Sequence, residues 1–325
     1  MKSQYFLLVN PRAGDSSPTA DELADAARER GIETRVLARG DDPAAAARDS
    51  RADVLGMAGG DGSLGAVAQV AIERDLGFVC VPFGTRNHFA RDVGLDRDDP
   101  FAALAAFGSG REVRVDAARV GDRVFLNNVS LGVYAGLVHR RERHRRRREA
   151  LARMRALLAV ARHRHRLHAY VNGEPTVARV LLVGNNRYDL SFFTLGVRER
   201  LDEGELHLFA AAGLLPTTWD EESASTFTIE LPQAHVRAAA DGEPIVLETP
   251  IELESLPGAL RLFLPPQSST DDEPRGGTMH DQPKPTEEEQ EQVHEGRQQE
   301  EEAMRYPEHQ DPDLQRERAH EEGDA

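Results

Sequence analysis

Apolar and polar positions follow two different rhythms along this chain. Over roughly the first hundred residues, short apolar runs are separated by stretches with helical spacing, the pattern of strands alternating with helices. Tyr5–Val9 reads as a buried strand, ended by Asn10-Pro11 and the turn Ala13-Gly14-Asp15. A helix is predicted from about Pro18, with Asp21 and Glu22 in its first turn and Gly31 closing it. Thr34–Ala38 follows as a strand and Asp42–Arg51 as a short helix. Asp53–Met57 is a third strand, running into Gly59-Gly60-Asp61-Gly62-Ser63 and a helix from Leu64 to about Arg74. Gly77–Val81 is a fourth strand and leads into Pro82-Phe83-Gly84-Thr85.

Past Gly110 the period shortens to two. Val113–Val120, Val124–Val129, His168–Val171, Ala178–Val183, Glu205–Ala210, Thr226–Leu231, His235–Ala239 and Ile251–Leu253 alternate or run β-branched. Gly121-Asp122 and Asn172-Gly173 supply hairpin turns. A mainly antiparallel β-domain is expected here, interrupted by one helical segment near Arg140–Arg162. From about Pro265 the chain is Glu, Gln, Asp and Pro, and Tyr306 is the sole aromatic past Thr270. Such a segment buries too little apolar surface to offset chain entropy and is expected to be a disordered acidic tail. The expected division is an α/β domain at 1–110, a β-domain at 111–265 with a basic helical insertion at about 139–165, and the tail at 266–325.

Composition then removes several classes. The 325 residues carry 40 Lys plus Arg against 56 Asp plus Glu, a net of −16. The charge is uneven: residues 270–325 hold −13, whereas His139–His168 holds 12 Arg and 2 Glu. Cys80 is the only cysteine, so neither an intrachain disulfide nor a Cys-rich zinc site is available, in keeping with a reducing cytosol. No apolar run approaches the ~18–20 residues of a membrane-spanning helix, and Tyr5–Val9 is too short for a signal-peptide core. Lysine occurs only at Lys2 and Lys284. A Walker-type loop, with Lys after its last Gly, is therefore excluded, as is lysine-based covalent catalysis.

Three loops carry candidate chemistry. Gly59-Gly60-Asp61-Gly62-Ser63 lies between a strand end and a helix start, where glycine lets backbone N–H groups approach an anion. An Asp in that loop repels bare phosphate, so a Mg-nucleotide suits it better; the bland alternative is an ordinary tight turn. Pro82-Phe83-Gly84-Thr85-Arg86-Asn87-His88-Phe89-Ala90-Arg91 sits at the end of the next strand, the edge where open α/β sheets bind ligands. Asp241-Gly242-Glu243-Pro244, far along the β-half, reads by itself as a hairpin turn.

Taken together, these loops resemble the diacylglycerol kinase catalytic-domain family, in its bacterial soluble branch. The matching residues are Val9-Asn10-Pro11 with Gly14, the Gly-Gly-Asp-Gly-Ser loop and Pro-x-Gly-Thr-x-Asn-x-Phe-Ala-Arg. Phe125-Leu126-Asn127-Asn128 with Gly132, and Asp-Gly-Glu-Pro, complete the set, which spans residues 5–264 in the family's order. The resemblance implies a nucleotide-binding α/β domain followed by a β-sandwich, with ATP and Mg2+ in the cleft between them. It implies that Asn10, Gly59, Gly60, Asp61, Gly62, Ser63, Gly84, Thr85 and Asn87 line the nucleotide. Asp61 and Asp116 are implied in the network organising Mg2+, with Asp241 and Glu243 across the cleft and Glu243 the base for a lipid hydroxyl. Such a base needs only to reach the hydroxyl proton, because phosphoryl transfer depends mainly on charge neutralisation and alignment.

Two positions depart from the family pattern. His88 stands where an acidic residue is usual, which leaves the cation network a charge short. In Leu201-Asp202-Glu203-Gly204-Glu205-Leu206, Glu203 replaces the second Asp of a pattern linked to a structural metal in some members, so Glu203 is a candidate ligand. The implied activity is phosphorylation of diacylglycerol or a related lipid, as part of phospholipid metabolism. A catalytically weak nucleotide- and lipid-binding regulator and an NAD kinase are the alternatives.

The basic block adds a partner. Leu151, Met154, Leu158 and Ala161 fall on one helical face with Arg153, Arg155 and Arg162 around them. A basic amphipathic segment suits an anionic membrane surface, met through the Arg140–Arg166 region of a cytoplasmic, peripherally associated protein. Nucleic acid is not expected, since the block lacks interleaved aromatics and any known binding motif.

Overall fold

The computed structural model describes residues 4–13, 18–84, 87–132, 166–188, 198–211 and 219–266. The expected helical insertion at about 139–165 and the expected tail from 267 onward lie outside these residues.

Strands β1 (Tyr5–Val9), β2 (Glu33–Val36), β3 (Val54–Gly59) and β4 (Gly77–Pro82) alternate with helices α1 (Ala20–Glu29), α2 (Pro43–Asp49) and α3 (Asp61–Glu73). Helix starts follow local chemistry. Thr19 caps α1 by accepting from the Glu22 N–H at 3.2 Å, and the Glu22 carboxylate accepts from the Thr19 N–H at 2.8 Å. Asp42 caps α2 ahead of Pro43, so that helix is shorter than Asp42–Arg51. All pairs among β1–β4 are parallel, in the order β2-β1-β3-β4. Both faces are covered, which is why β3 and β4 are buried at every position. Leu23, Ala24 and Ala27 of α1 pack with Leu7, Val9 and Val81 on one face. On the other, Leu64, Val67 and Ala68 of α3 pack with Leu8, Leu55, Met57 and Phe78. The short helices α4 (His88–Asp92), α5 (Pro100–Ala103) and α6 (Ala106–Ser109) complete this half.

The second half is antiparallel. It contains β5 (Arg111–Val120), β6 (Arg123–Phe125), β7 (Asn128–Gly132), β8 (Leu167–Val171), β9 (Glu174–Ala178) and β10 (Val180–Asn185). Then come β11 (Leu206–Ala211), β12 (Trp219–Ala224), β13 (Thr226–Glu230), β14 (His235–Ala240), β15 (Glu243–Glu248) and β16 (Ile251–Leu264). Among the described residues, six strands form one sheet in the order β12-β11-β10-β7-β14-β15. Its inward side chains, Val129, Leu131, Leu181, Val183 and Leu208, pack with Phe227, Ile229, Ile251 and Leu253 of a second sheet. The result is a two-layer sandwich.

Strand β16 differs most from the expected Ile251–Leu253. Past Leu253 the chain keeps pairing with β5 through Pro257-Gly258, with a register shift between Leu256 and Leu260. Its far end then pairs in parallel with β4, Arg261 opposite Gly77 and Leu262 opposite Phe78. One sheet of ten strands therefore runs through the α/β half and into the sandwich, crossing the sequence between residues 110 and 111 without a break. The expected strand Val124–Val129 is split, β6 joining this large sheet and β7 the six-stranded one. Among the described residues no helix is long and apolar enough to cross a membrane.

Candidate active site

The loops after β1, β3 and β4 leave the parallel sheet at its carboxyl edge, where ligands bind in such folds. Asn10 fastens the first loop to the next. Its Nδ2 donates to Ser63 Oγ at 2.9 Å, and its Oδ1 accepts from the Arg12 N–H at 3.1 Å.

The three glycines of the second loop serve different needs. A Cβ on Gly59 would stand 2.8 Å from Met57 Cε and 3.2 Å from Ser63 Cβ, so Gly59 is a packing glycine. A Cβ on Gly60 would meet nothing within 4 Å, leaving an open cradle at the N-cap of α3. A Cβ on Gly62 would run into the Glu243 side chain, 2.6 Å from Oε1. The third loop closes on the second: a Cβ on Gly84 would lie 3.0 Å from Gly60 Cα.

Asn87 is fully buried, with φ 42°, and its Nδ2 donates to the Gly84 carbonyl at 2.8 Å. Its Oδ1 is buried and accepts no hydrogen bond among the described residues. Thr85 lies outside the described residues. Helix α3 begins at Asp61 rather than Leu64, because Gly60 serves as its N-cap. The Asp61 carboxylate accepts from the N–H groups of His88 (3.2 Å) and Phe89 (3.1 Å), which fixes the start of α4.

The Asp-Gly-Glu turn joins β14 to β15 and reaches this place from the six-stranded sheet. Asp241, with φ 47°, is its anchor. Its carboxylate accepts from the N–H groups of Leu126 (2.8 Å), Asn127 (2.8 Å) and Asn128 (3.2 Å). Those residues bridge β6 and β7, and their amides turn inward to Asp241 instead of continuing a ladder. Burial pushes the Asp241 carboxyl up to about 7. The N–H of Leu126 opposes that shift, and the negative charge of Asp61 adds to it. The exposed Glu243 lies two residues on, with its carboxyl against Gly62. Asp61, Gly60, Gly62, Gly84, Asn87, Asp241 and Glu243 are thus brought together.

Asp116 and Glu203 sit in a different set of contacts. The buried Asp116 accepts from the Gly204 N–H through Oδ2 and the Gly258 N–H through Oδ1, both at 2.7 Å. It staples the Leu201–Gly204 loop to the bulge in β16. The Glu203 carboxylate accepts from the Arg187 N–H at 2.8 Å and lies 3.6 Å from His207 Nε2. Among the described residues, no cluster of three or more His, Cys, Asp or Glu side chains is arranged to hold a metal. Among the described residues Asp116 and Asp61 share no hydrogen-bond partner.

Sequence reasoning missed Arg198. It is 2% exposed and donates from Nε to Asp92 Oδ2 at 2.8 Å, in an ion pair whose side chains are both fully buried. No periodicity or motif marks either residue, and 106 positions separate them.

Comparison with known proteins agrees with this architecture. Residues 4–120 match the model of the diacylglycerol kinase catalytic domain. A Klebsiella pneumoniae protein described as "Probable lipid kinase YegS-like" is 28% identical over 288 residues, covering 80% of this chain and 96% of that protein. A "Probable lipid kinase YegS" from Salmonella arizonae is 26% identical over 292 residues, with the same coverage. A solved diacylglycerol kinase structure from Bacillus anthracis superposes with a TM-score of 0.59 at 20% identity, over 81% of this chain and 98% of that one. Residues 4–120 thus match the diacylglycerol kinase catalytic domain, and about four fifths of the chain is similar in sequence to proteins described as probable lipid kinases.

Proposed function

We propose that this chain is an ATP-dependent lipid kinase acting on the hydroxyl of diacylglycerol or a related lipid, with Mg2+-assisted transfer where the two halves meet. The observation that carries this reading is the contact of Glu243 with Gly62, which puts a carboxylate from one half against the Gly-rich loop of the other. The residues fit a nucleotide. Gly60 leaves an open cradle at a helix start, and Asn87 Oδ1 is a buried acceptor with no partner among the described residues.

The roles follow from position. Backbone N–H groups at Gly60–Gly62 receive phosphate oxygens, and Asn87 holds the neighbouring loop in place. Glu243 takes the proton of the lipid hydroxyl as that oxygen bonds to the γ-phosphorus, and ADP leaves. Asp241 sets the height of Glu243 above the loop through its three amide contacts. Mg2+ needs only one or two carboxylates besides phosphate oxygens, and Asp61 would supply one. When bound, it neutralises charge on the phosphates. The Arg140–Arg166 region is proposed to meet anionic lipid at the cytoplasmic membrane face, where ~1 kcal/mol per basic residue is available.

The test is γ-labelled ATP with a panel of diacylglycerol, sphingoid base, ceramide and glycolipid in mixed micelles, with NAD as a further acceptor. Labelled phospholipid is the expected product. Label on NAD alone, or on no acceptor, overturns the reading.

A further inference from the structure

We infer that the buried Asp92–Arg198 pair is a brace holding the two carboxylate cradles of the site, at Asp61 and at Asp241, in one register. Arg198 is on this account a positioning residue, and the inference rests on the kinase reading for its effect on turnover.

The geometry is two-sided. Besides Asp92, Arg198 donates from Nη1 to the carbonyl of Leu126 at 2.6 Å and from Nη2 to Asn127 Oδ1 at 2.7 Å. Those same two residues give their N–H groups to Asp241. The Leu126-Asn127 segment is therefore gripped by Arg198 through its oxygens and by Asp241 through its amides. A fourth bond, from Nη1 to the Asn185 carbonyl at 3.0 Å, ties the guanidinium to β10. Its planar fork suits several acceptors at fixed angles, which a point charge does not.

The other end of the pair is as constrained. Asp92 closes α4, a helix of five residues whose first N–H groups, from His88 and Phe89, hold the Asp61 carboxylate. A movement of Asp92 is passed to Asp61 within little more than one turn. Stability alone is a poor account of this arrangement. Taking two charges out of water costs about what their attraction returns, and apolar replacements of such pairs are often neutral. What an apolar pair does not reproduce is the directed grip on Leu126 and Asn127.

That difference supplies the test. Asp92→Leu/Arg198→Met removes both charges together, but it strips the donor from Asn127 Oδ1 and the Asn185 carbonyl and a partner from Arg91, so it is expected to fold with a lowered melting temperature. Arg198→Lys is a second variant, which keeps the charge opposite Asp92 but loses the fork. In both, kcat with diacylglycerol micelles is expected to fall by ~10–100-fold, the scale of a sub-ångström misplacement, while the ATP Kd by calorimetry changes less than about twofold. Hydrogen exchange is expected to quicken together at Leu126–Asn128 and at His88–Phe89. A folded variant with parental kcat and parental exchange overturns the brace. If the parent phosphorylates no lipid, the kinase reading fails, and exchange alone decides: unchanged protection at both segments overturns the brace.

Discussion

Glu243 occupies the space that a side chain on Gly62 would need. The two residues are 181 positions apart, one on the turn between two sandwich strands and the other in the first turn of α3. Their contact is where the halves of the chain face each other, and it gives each glycine of the loop a separate, measurable role.

Gly62→Ala adds a methyl that collides only with the movable Glu243 side chain, while alanine in the first turn of α3 favours the helix by up to ~1 kcal/mol. Stability is therefore expected to hold or rise, and kcat to fall by about ten- to a hundredfold as Glu243 is displaced. ATP affinity should hold to within a few fold. Paired melting curves and steady-state rates check this; a variant with both lower stability and normal kcat contradicts it.

Gly60→Val behaves in the opposite way. Its backbone, at φ −85° and ψ 171°, accepts valine, and the new Cβ has nothing within 4 Å. Folding should be unaffected, but the branched group fills the cradle at the helix start where phosphate is expected. Calorimetry should show ATP binding lost. Unchanged affinity would reduce the loop to an ordinary turn.

Glu243→Gln keeps the shape and removes the base. A loss in kcat of ~10²–10⁴-fold is expected, with little change in ATP binding, as befits a group that acts on the acceptor. Parental turnover would take Glu243 out of the chemistry.

The legibility of this molecule in its sequence depended on how local each signal was. Tyr5–Val9 and the strand starting at Gly77 were plain because both faces are buried and turn residues bound them. The positions of the candidate loops were readable because their glycines come at the ends of apolar runs, at Gly59 where β3 ends and Gly84 after β4. What escaped was set by partners distant in sequence. The strand expected to end at Leu253 runs on to Leu264, because Asp116 takes the Gly258 N–H at the bulge and lets β16 continue. The apolar run Val124–Val129 looked like one strand, but Asp241 draws the amides between its halves aside. The same contact shows Asp241 as an anchor, a role the motif alone did not reveal. Arg198 left no trace in any window, since its hydrogen-bond partners among the described residues are at least 13 positions away.

Asp241 also sets a pH dependence of stability. Its carboxyl is raised from 3.8 to about 7 in the fold, so between those values the folded chain holds a proton that the unfolded chain has released. This group's contribution therefore favours the fold most below about pH 4, declines as pH rises, and levels off above about pH 7. Asp241→Asn removes the titration. The melting-temperature difference, parent minus variant, is expected to shrink steadily from pH 4 to pH 7. A difference that stays flat from pH 4 to pH 7 would mean that the three amides hold the carboxylate ionised across that range.

Asp116→Ala separates a stapling role from a metal-binding one. Both carboxylate oxygens accept short bonds from amides, at Gly204 and Gly258, and each of those glycines has positive φ. Removing the acceptor leaves two half-buried N–H groups without their partner. With partial access to water, the loss is expected at about 2 kcal/mol, toward the low end for two unsatisfied donors. The loosened staple frees both the Leu201–Gly204 loop and the bulge by which β16 reaches β4. Urea unfolding of the parent and the variant, each with and without Mg2+, measures the effect. A stapling residue gives the same loss in both conditions. If instead Mg2+ stabilises the parent and leaves the variant unmoved, Asp116 is a ligand after all, and the amide contacts are what the loop makes when the ion is away.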